Sequence, residues 1–75
     1  MKFMSYTCSI LDTHEKIVWL TDVVGVTIFK TVEIQQVPHQ TTDSLERIIF
    51  YVPDKEFEMK IKLTYPPGTF EEHMT

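Results

Sequence analysis

Ten consecutive residues constrain this chain more than any others. From 56 to 65, apolar Phe57, Met59, Ile61, Leu63 and Tyr65 alternate with polar Glu56, Glu58, Lys60, Lys62 and Thr64. Strand side chains point alternately to the two faces of a sheet, so a period of two sorts this stretch into one apolar and one charged face. A helix at about 3.6 residues per turn would spread the charges around its circumference. The stretch is therefore expected to be a strand that the rest of the chain covers.

The segment before it supports that reading. Residues 45 to 52 are apolar on both parities, Ile48, Phe50 and Val52 on one and Leu45, Ile49 and Tyr51 on the other, as in a central strand or one covered on both faces. Pro53, Asp54 and Lys55 then turn the chain. A two- or four-residue loop there places Ile48, Phe50 and Val52 on the face of Phe57, Met59 and Ile61, and a slip of one residue would oppose them to charges. Ile49 and Tyr51 then share the other face with Glu58, Lys60 and Lys62. They need a cover, either a loop of the same chain or a partner.

Upstream, residues 2 to 11 form a further expected strand, with Met4, Tyr6, Cys8 and Ile10 on one parity and Phe3, Ser5, Thr7 and Ser9 on the other. Residues 12 to 24 read two ways. As a helix, Asp12 caps, Glu15 sits at the third helical position and Gly25 stops it. As a hairpin, residues 12 to 15 turn and residues 16 to 21 form a strand. The β-branched Ile17, Val18, Thr21, Val23 and Val24, with Trp19, favour the hairpin. Residues 25 to 37 make a long strand in which Val26, Ile28, Val32 and Ile34 share a parity that Lys30 interrupts, the mark of a bulge or a sheet edge. A polar loop follows from Pro38 to Ser44. Pro66 and Pro67 cannot continue a ladder and end the sheet. The fold expected is a mainly β domain, an antiparallel meander of about five strands over residues 1–66, with residues 67–75 as a C-terminal tail, loose or anchored by Phe70. The alternative is α+β, four strands with one helix at 12–24.

Composition narrows the function. Seventy-five residues form one small domain that hides only about 60% of its unfolded surface. At 43% hydrophobic residues it is not disordered by composition, and a chain of this kind is expected to complete its core by pairing with a copy of itself, as a homodimer, or with a partner. One cysteine, Cys8, permits no internal disulfide and favours a reducing compartment; no apolar run approaches the roughly 20 residues of a membrane helix. A cytoplasmic location follows as the expectation.

Catalytic and metal chemistry find little footing. Cys8, His14, His39 and His73 lack the two-to-four-residue spacing of structural zinc ligands. Cys8 has no glycine-rich elbow or helix start to activate it, and Pro66-Pro67-Gly68-Thr69 lacks the phosphate-loop lysine. No cofactor, no metal and no enzymatic activity are expected. The net charge of -4 and the scattered lysines weigh against nucleic acid, although sheet aromatics such as Phe50, Tyr51 and Tyr65 can stack bases. Asp54, Glu56 and Glu58, with Glu71 and Glu72, suit an acidic mimic occupying a basic groove. What remains is a protein-interaction module that binds and modulates or inhibits a larger protein, with Trp19, Ile49, Tyr51, Asp54, Glu56 and Glu58 as candidate interface residues. The profile is that of small accessory regulators carried by viruses and mobile elements.

Overall fold

The computed structural model describes residues 2–34 and 44–73. Most of the loop expected between Pro38 and Ser44, His39 within it, the strand extension at 35–37 and Met74 lie outside these residues. In chain order the elements are β1 (Lys2–Ser9), a short 3-10 turn (Ile10–Asp12), α1 (Thr13–Trp19) running into a π turn (Leu20–Val24), β2 (Thr27–Ile34), β3 (Leu45–Val52), α2 (Lys55–Thr64) and β4 (Glu71–His73). The four strands form one antiparallel sheet in the order β2-β3-β1-β4. A β-α-β-β-α-β chain with this strand order is the split βαβ, or ferredoxin-like, arrangement. It replaces the five-strand meander and stands closer to the α+β alternative, with a second helix added.

That second helix is the main correction. Residues 56 to 65 are not a strand, and they do not pair with β3, whose neighbours are β1 and β2. The alternation has another solution. Two residues advance a helix by about 200°, so successive apolar residues jump between opposite sides. Phe57, Ile61 and Tyr65 form one row spaced by four and face the core. Met59 and Leu63 form the opposite row and are 59% and 84% exposed. Local signals agree with the helix. Asp54 Oδ1 accepts from Phe57 N at 2.8 Å, an N-cap that satisfies a donor the first turn leaves free. Glu, Met, Lys and Leu are strong helix formers. Glu58 and Lys62 form an i,i+4 ion pair at 2.9 Å in the favoured order.

The hairpin expected at 12–24 is likewise a helix. Ser9 Oγ accepts from Leu11 N at 3.3 Å at its start, whereas Asp12 makes no side-chain cap bond. Gly25, at φ 87°, ends it as the helical reading required, with Gly25 N and Val26 N both donating to Leu20 O. The β-branched residues do not prevent it, because each costs only a few tenths of a kcal/mol against alanine. Leu20 is fully buried, and Ile17 and Val24 pack against the core beside it. Burying such a side chain contributes about 1.5–3 kcal/mol, which outweighs the propensity term.

The sheet confirms other expectations. β3 is a central strand. β2 is an edge strand, and its register shifts between Ile28 and Lys30. That bulge explains the interrupting lysine. Ile28 opposes Phe50 on the helix side, whereas Lys30 opposes Ile49 and Val32 opposes Arg47 on the other. The apolar parity therefore changes face in mid-strand.

The core lies between sheet and helices, built on Met4, Leu20, Val26, Ile48, Phe50, Val52 and Ile61. Phe70 completes it, with its ring centroid 5.4 to 6.0 Å from those of Tyr6, Trp19, Phe50 and Tyr65. The prolines do not end the sheet. Pro66, Pro67, Gly68 (φ 91°) and Thr69 make a tight turn in which Thr69 N donates to Pro66 O at 3.2 Å. The turn brings Glu71–His73 antiparallel to β1.

Candidate protein-interaction surface

Both helices cover one face of the sheet; among the described residues, no helix lies on the other. Phe3, Ser5, Thr7 and Ser9 of β1 lie on that bare face opposite Tyr51, Ile49, Arg47 and Leu45 of β3. β2 adds Thr27, Phe29, Lys30, Val32 and Ile34. Phe3, Phe29 and Tyr51 form one aromatic cluster with centroids 4.9 to 5.2 Å apart, and their planes are tilted by 43° to 69°. Phe29 is 46% and Val32 38% exposed on β2, whereas Phe3, Ile49 and Tyr51 are half-buried and Ser5 is fully buried, so the apolar patch opens to solvent at its β2 side. Its charged side chains are Lys30 on edge strand β2, Arg47 on central strand β3 and Glu71 on β4. Lys30 Nζ lies 5.5 Å from the Phe29 ring on β2, and Arg47 Nη2 lies 3.9 Å from Glu71 of β4.

The six sequence candidates divide between two sides of the molecule. Ile49 and Tyr51 stand at the centre of the bare face, with aromatic and β2 neighbours in place of the charged strand expected beside them. Trp19 is on the helix side, half-buried against Tyr6, Tyr65 and Phe70, with Lys16 Nζ 5.7 Å from its ring. Asp54 caps α2, and Glu56 is exposed on it. Glu58 joins a closed ring of alternating charges. Lys2 Nζ lies 2.8 Å from Glu58 and 3.1 Å from Glu72, and Lys62 Nζ lies 2.9 Å from Glu58 and 2.5 Å from Glu72. This ring clamps α2 to β1 and β4, so much of the acidity read as a mimic surface is neutralised in place.

The ring has a pH signature. Hydrogen bonds from Lys2 and Lys62 hold the Glu58 carboxyl down at about 2, against an ordinary 4.5. Glu72 is lowered for the same reason, and both lysines are raised above 10.5. A carboxylate with a depressed native pKa contributes stability that is present above its unfolded value and lost as pH falls through its native one. The lysines' share is present at neutral pH and lost as pH rises through their raised values. Urea unfolding of wild type and Glu58→Gln at stepped pH is the check. The difference between them is expected to be full at neutral pH, to shrink below about 4.5 and to vanish near 2. A pH-independent difference would remove the ring from the account.

Elsewhere, a pocket of about 430 Å³ is lined by Met4, Ile61, Tyr65, Pro66, Pro67, Gly68 and Phe70, with the Lys62–Glu72 pair on its polar side. Cys8 is half-buried, and desolvation pushes its thiol up, away from thiolate reactivity. Among the described residues no group of three His, Cys, Asp or Glu converges as metal ligands, and no helix is long and apolar enough to cross a membrane.

Sequence reasoning missed Phe3, Phe29, Lys30 and Arg47 as members of the bare face. Phe3 was legible as the lone aromatic on the polar parity of β1. Phe29 and Lys30 were not, because their orientation depends on the bulge. No family model matches the chain, and neither curated proteins nor solved structures yield a match.

Proposed function

We propose that this chain is a non-enzymatic, cytoplasmic interaction module that binds and modulates or inhibits a larger protein through the helix-free face of its sheet. One observation carries the reading: a helix-free sheet face on which Phe3, Phe29 and Tyr51 cluster beside Ile49, with Phe29 46% exposed at its β2 edge. Protein interfaces have this composition, aromatic and aliphatic at the centre with a polar rim and arginine enriched.

Single-stranded nucleic acid is the second reading. It is favoured by Phe3 and Tyr51 standing opposite each other on the two central strands, with Lys30 and Arg47 near them. Against it, the rings tilt into one another's edges, and the chain's net charge of -4 repels phosphate.

The test is retention from extracts of the source cells by immobilised wild type and by Phe29→Asp, which alters the bare face at an exposed ring. Wild type is expected to hold a protein that Phe29→Asp releases by at least about tenfold, as for an apolar anchor at an interface centre. Equal retention by both would remove this face from the reading. Salt-sensitive retention of nucleic acid in place of protein would move the assignment to the second reading.

A further inference from the structure

We propose that the cleft between α2 and β4 binds a small zwitterion with an apolar body, a free aromatic amino acid. The cleft holds about 430 Å³, toward the low end of ligand sites, and lies on the helix side of the sheet, away from the Phe29 face. Its floor is Met4, Ile61 and Phe70, with Met4 and Ile61 only 2% and 4% exposed. Its outer rim is the exposed Pro66–Gly68 turn, and Lys62 and Glu72 stand together on one wall. Two prolines, with Thr69 N and Oγ1 donating to Pro66 O at 3.2 and 2.7 Å, hold that rim in place before a ligand arrives.

The charged wall selects the head group. Lys62 and Glu72 belong to the closed ring, yet the ring leaves capacity on both. An ammonium has three donors, and Lys62 directs two of them to Glu58 and Glu72. A carboxylate accepts about four hydrogen bonds, and both lysines make their closest approach to Glu72 through Oε1. The two side chains are 51% and 41% exposed, so a ligand in the cleft reaches both. Its carboxylate accepts the third Lys62 donor, and its ammonium donates to Glu72. A ligand with a carboxylate alone sets it beside Glu72, and one with an ammonium alone sets it beside Lys62; each is a like-charge contact with no compensation. Two lysines and two glutamates give the ring no net charge with which to favour either ion.

The floor selects the body. Met4 offers a thioether and Phe70 a ring, and both favour an aromatic neighbour. A ligand of about twelve non-hydrogen atoms in an open cleft binds modestly, with a Kd on the order of 1 mM. Trp19 reports occupancy, because Phe70 stacks on it at 19° and Tyr65, also in the cleft, meets it edge-on with centroids 5.7 Å apart.

Titration of the full chain at neutral pH with phenylalanine, to about 20 mM, tests this by Trp19 emission and amide NMR shifts, with phenylpropionate and phenethylamine as the singly charged analogues. Phenylalanine is expected to saturate, to move the amides of Met4, Ile61, Tyr65, Gly68 and Phe70, and to bind at least about tenfold more tightly than either analogue. Glu72→Gln, shown to be folded by circular dichroism, should weaken phenylalanine and phenethylamine by at least about fivefold, while phenylpropionate binds more tightly than to wild type because the like charge is gone. Failure of phenylalanine to saturate overturns the proposal. So does an analogue that binds as tightly as phenylalanine, a set of shifts gathered on Phe29, Ile49 and Tyr51, or a Glu72→Gln variant that weakens all three ligands alike. The cleft and the Phe29 face lie on opposite sides of the sheet, so neither result bears on retention of a protein by that face.

Discussion

Ile61→Asp is expected to leave the chain unfolded in water at 25 °C, while Met59→Asp changes its stability by less than about 1 kcal/mol. The two residues are two positions apart and would share a face on a strand. On α2 they stand on opposite sides, with Ile61 4% and Met59 59% exposed. Truncating a buried isoleucine alone costs about 2–5 kcal/mol, and a carboxylate placed there adds the penalty of an unpaired charge. A domain of this size rarely holds more than about 3–5 kcal/mol in its core, so the sum exceeds what is available. Met59 touches water already, and its replacement chiefly alters helix propensity by a few tenths of a kcal/mol. Urea titrations followed by circular dichroism read both variants. Equal losses would return residues 56 to 65 to a strand with one apolar face.

Phe70→Ala is expected to cost about 2–4 kcal/mol, somewhat less than for a fully buried phenylalanine. The ring touches four others and stacks at 19° on Trp19 with centroids 6.0 Å apart. Aromatic pairs add about 0.5–1.5 kcal/mol each beyond the area they bury. Its loss also loosens the link between the Pro66–Thr69 turn and β4, whose Glu71–His73 pair with β1. Trp19 emission should shift to the red in the folded variant as its stacking partner disappears, and the denaturation midpoint should fall with it. A loss under about 0.5 kcal/mol, with Trp19 emission unchanged, would make residues 67–75 a dispensable appendage.

The bare face and the helix-side ion ring respond to different variables. The ring weakens in acid as Glu58 and Glu72 take up protons. The face is governed by Lys30, Arg47 and Glu71, for two of which salt screening is the relevant variable because they sit at exposed edges.

Part of this architecture was legible in the residues themselves. β1 and β3 follow from parity, because each strand's helix side is continuous: Met4, Tyr6 and Cys8 on one, Ile48, Phe50 and Val52 on the other. The edge position and bulge of β2 follow from Lys30 alone, and the end of the first helix follows from Gly25. That Ile49 and Tyr51 share one face and Ile48, Phe50 and Val52 the other follows from alternation, but both sets are apolar, and only the packed helices decide which one is the core.

Tertiary structure decided the rest. A period of two is compatible with a strand and also with a helix that buries one i,i+4 row and exposes the other. The choice depends on whether a groove exists to receive Phe57, Ile61 and Tyr65. Asp54 and the ordered Glu58–Lys62 pair pointed to the helix, but their few tenths to about one kcal/mol are small beside the burial of that row. Likewise, no local pattern brings Phe3, Phe29 and Tyr51 together. They meet because β3 lies between β1 and β2, and strand order is a property of the whole packed chain. The sequence alone determined which residues must avoid water; the closed core determined which of them remain on the surface.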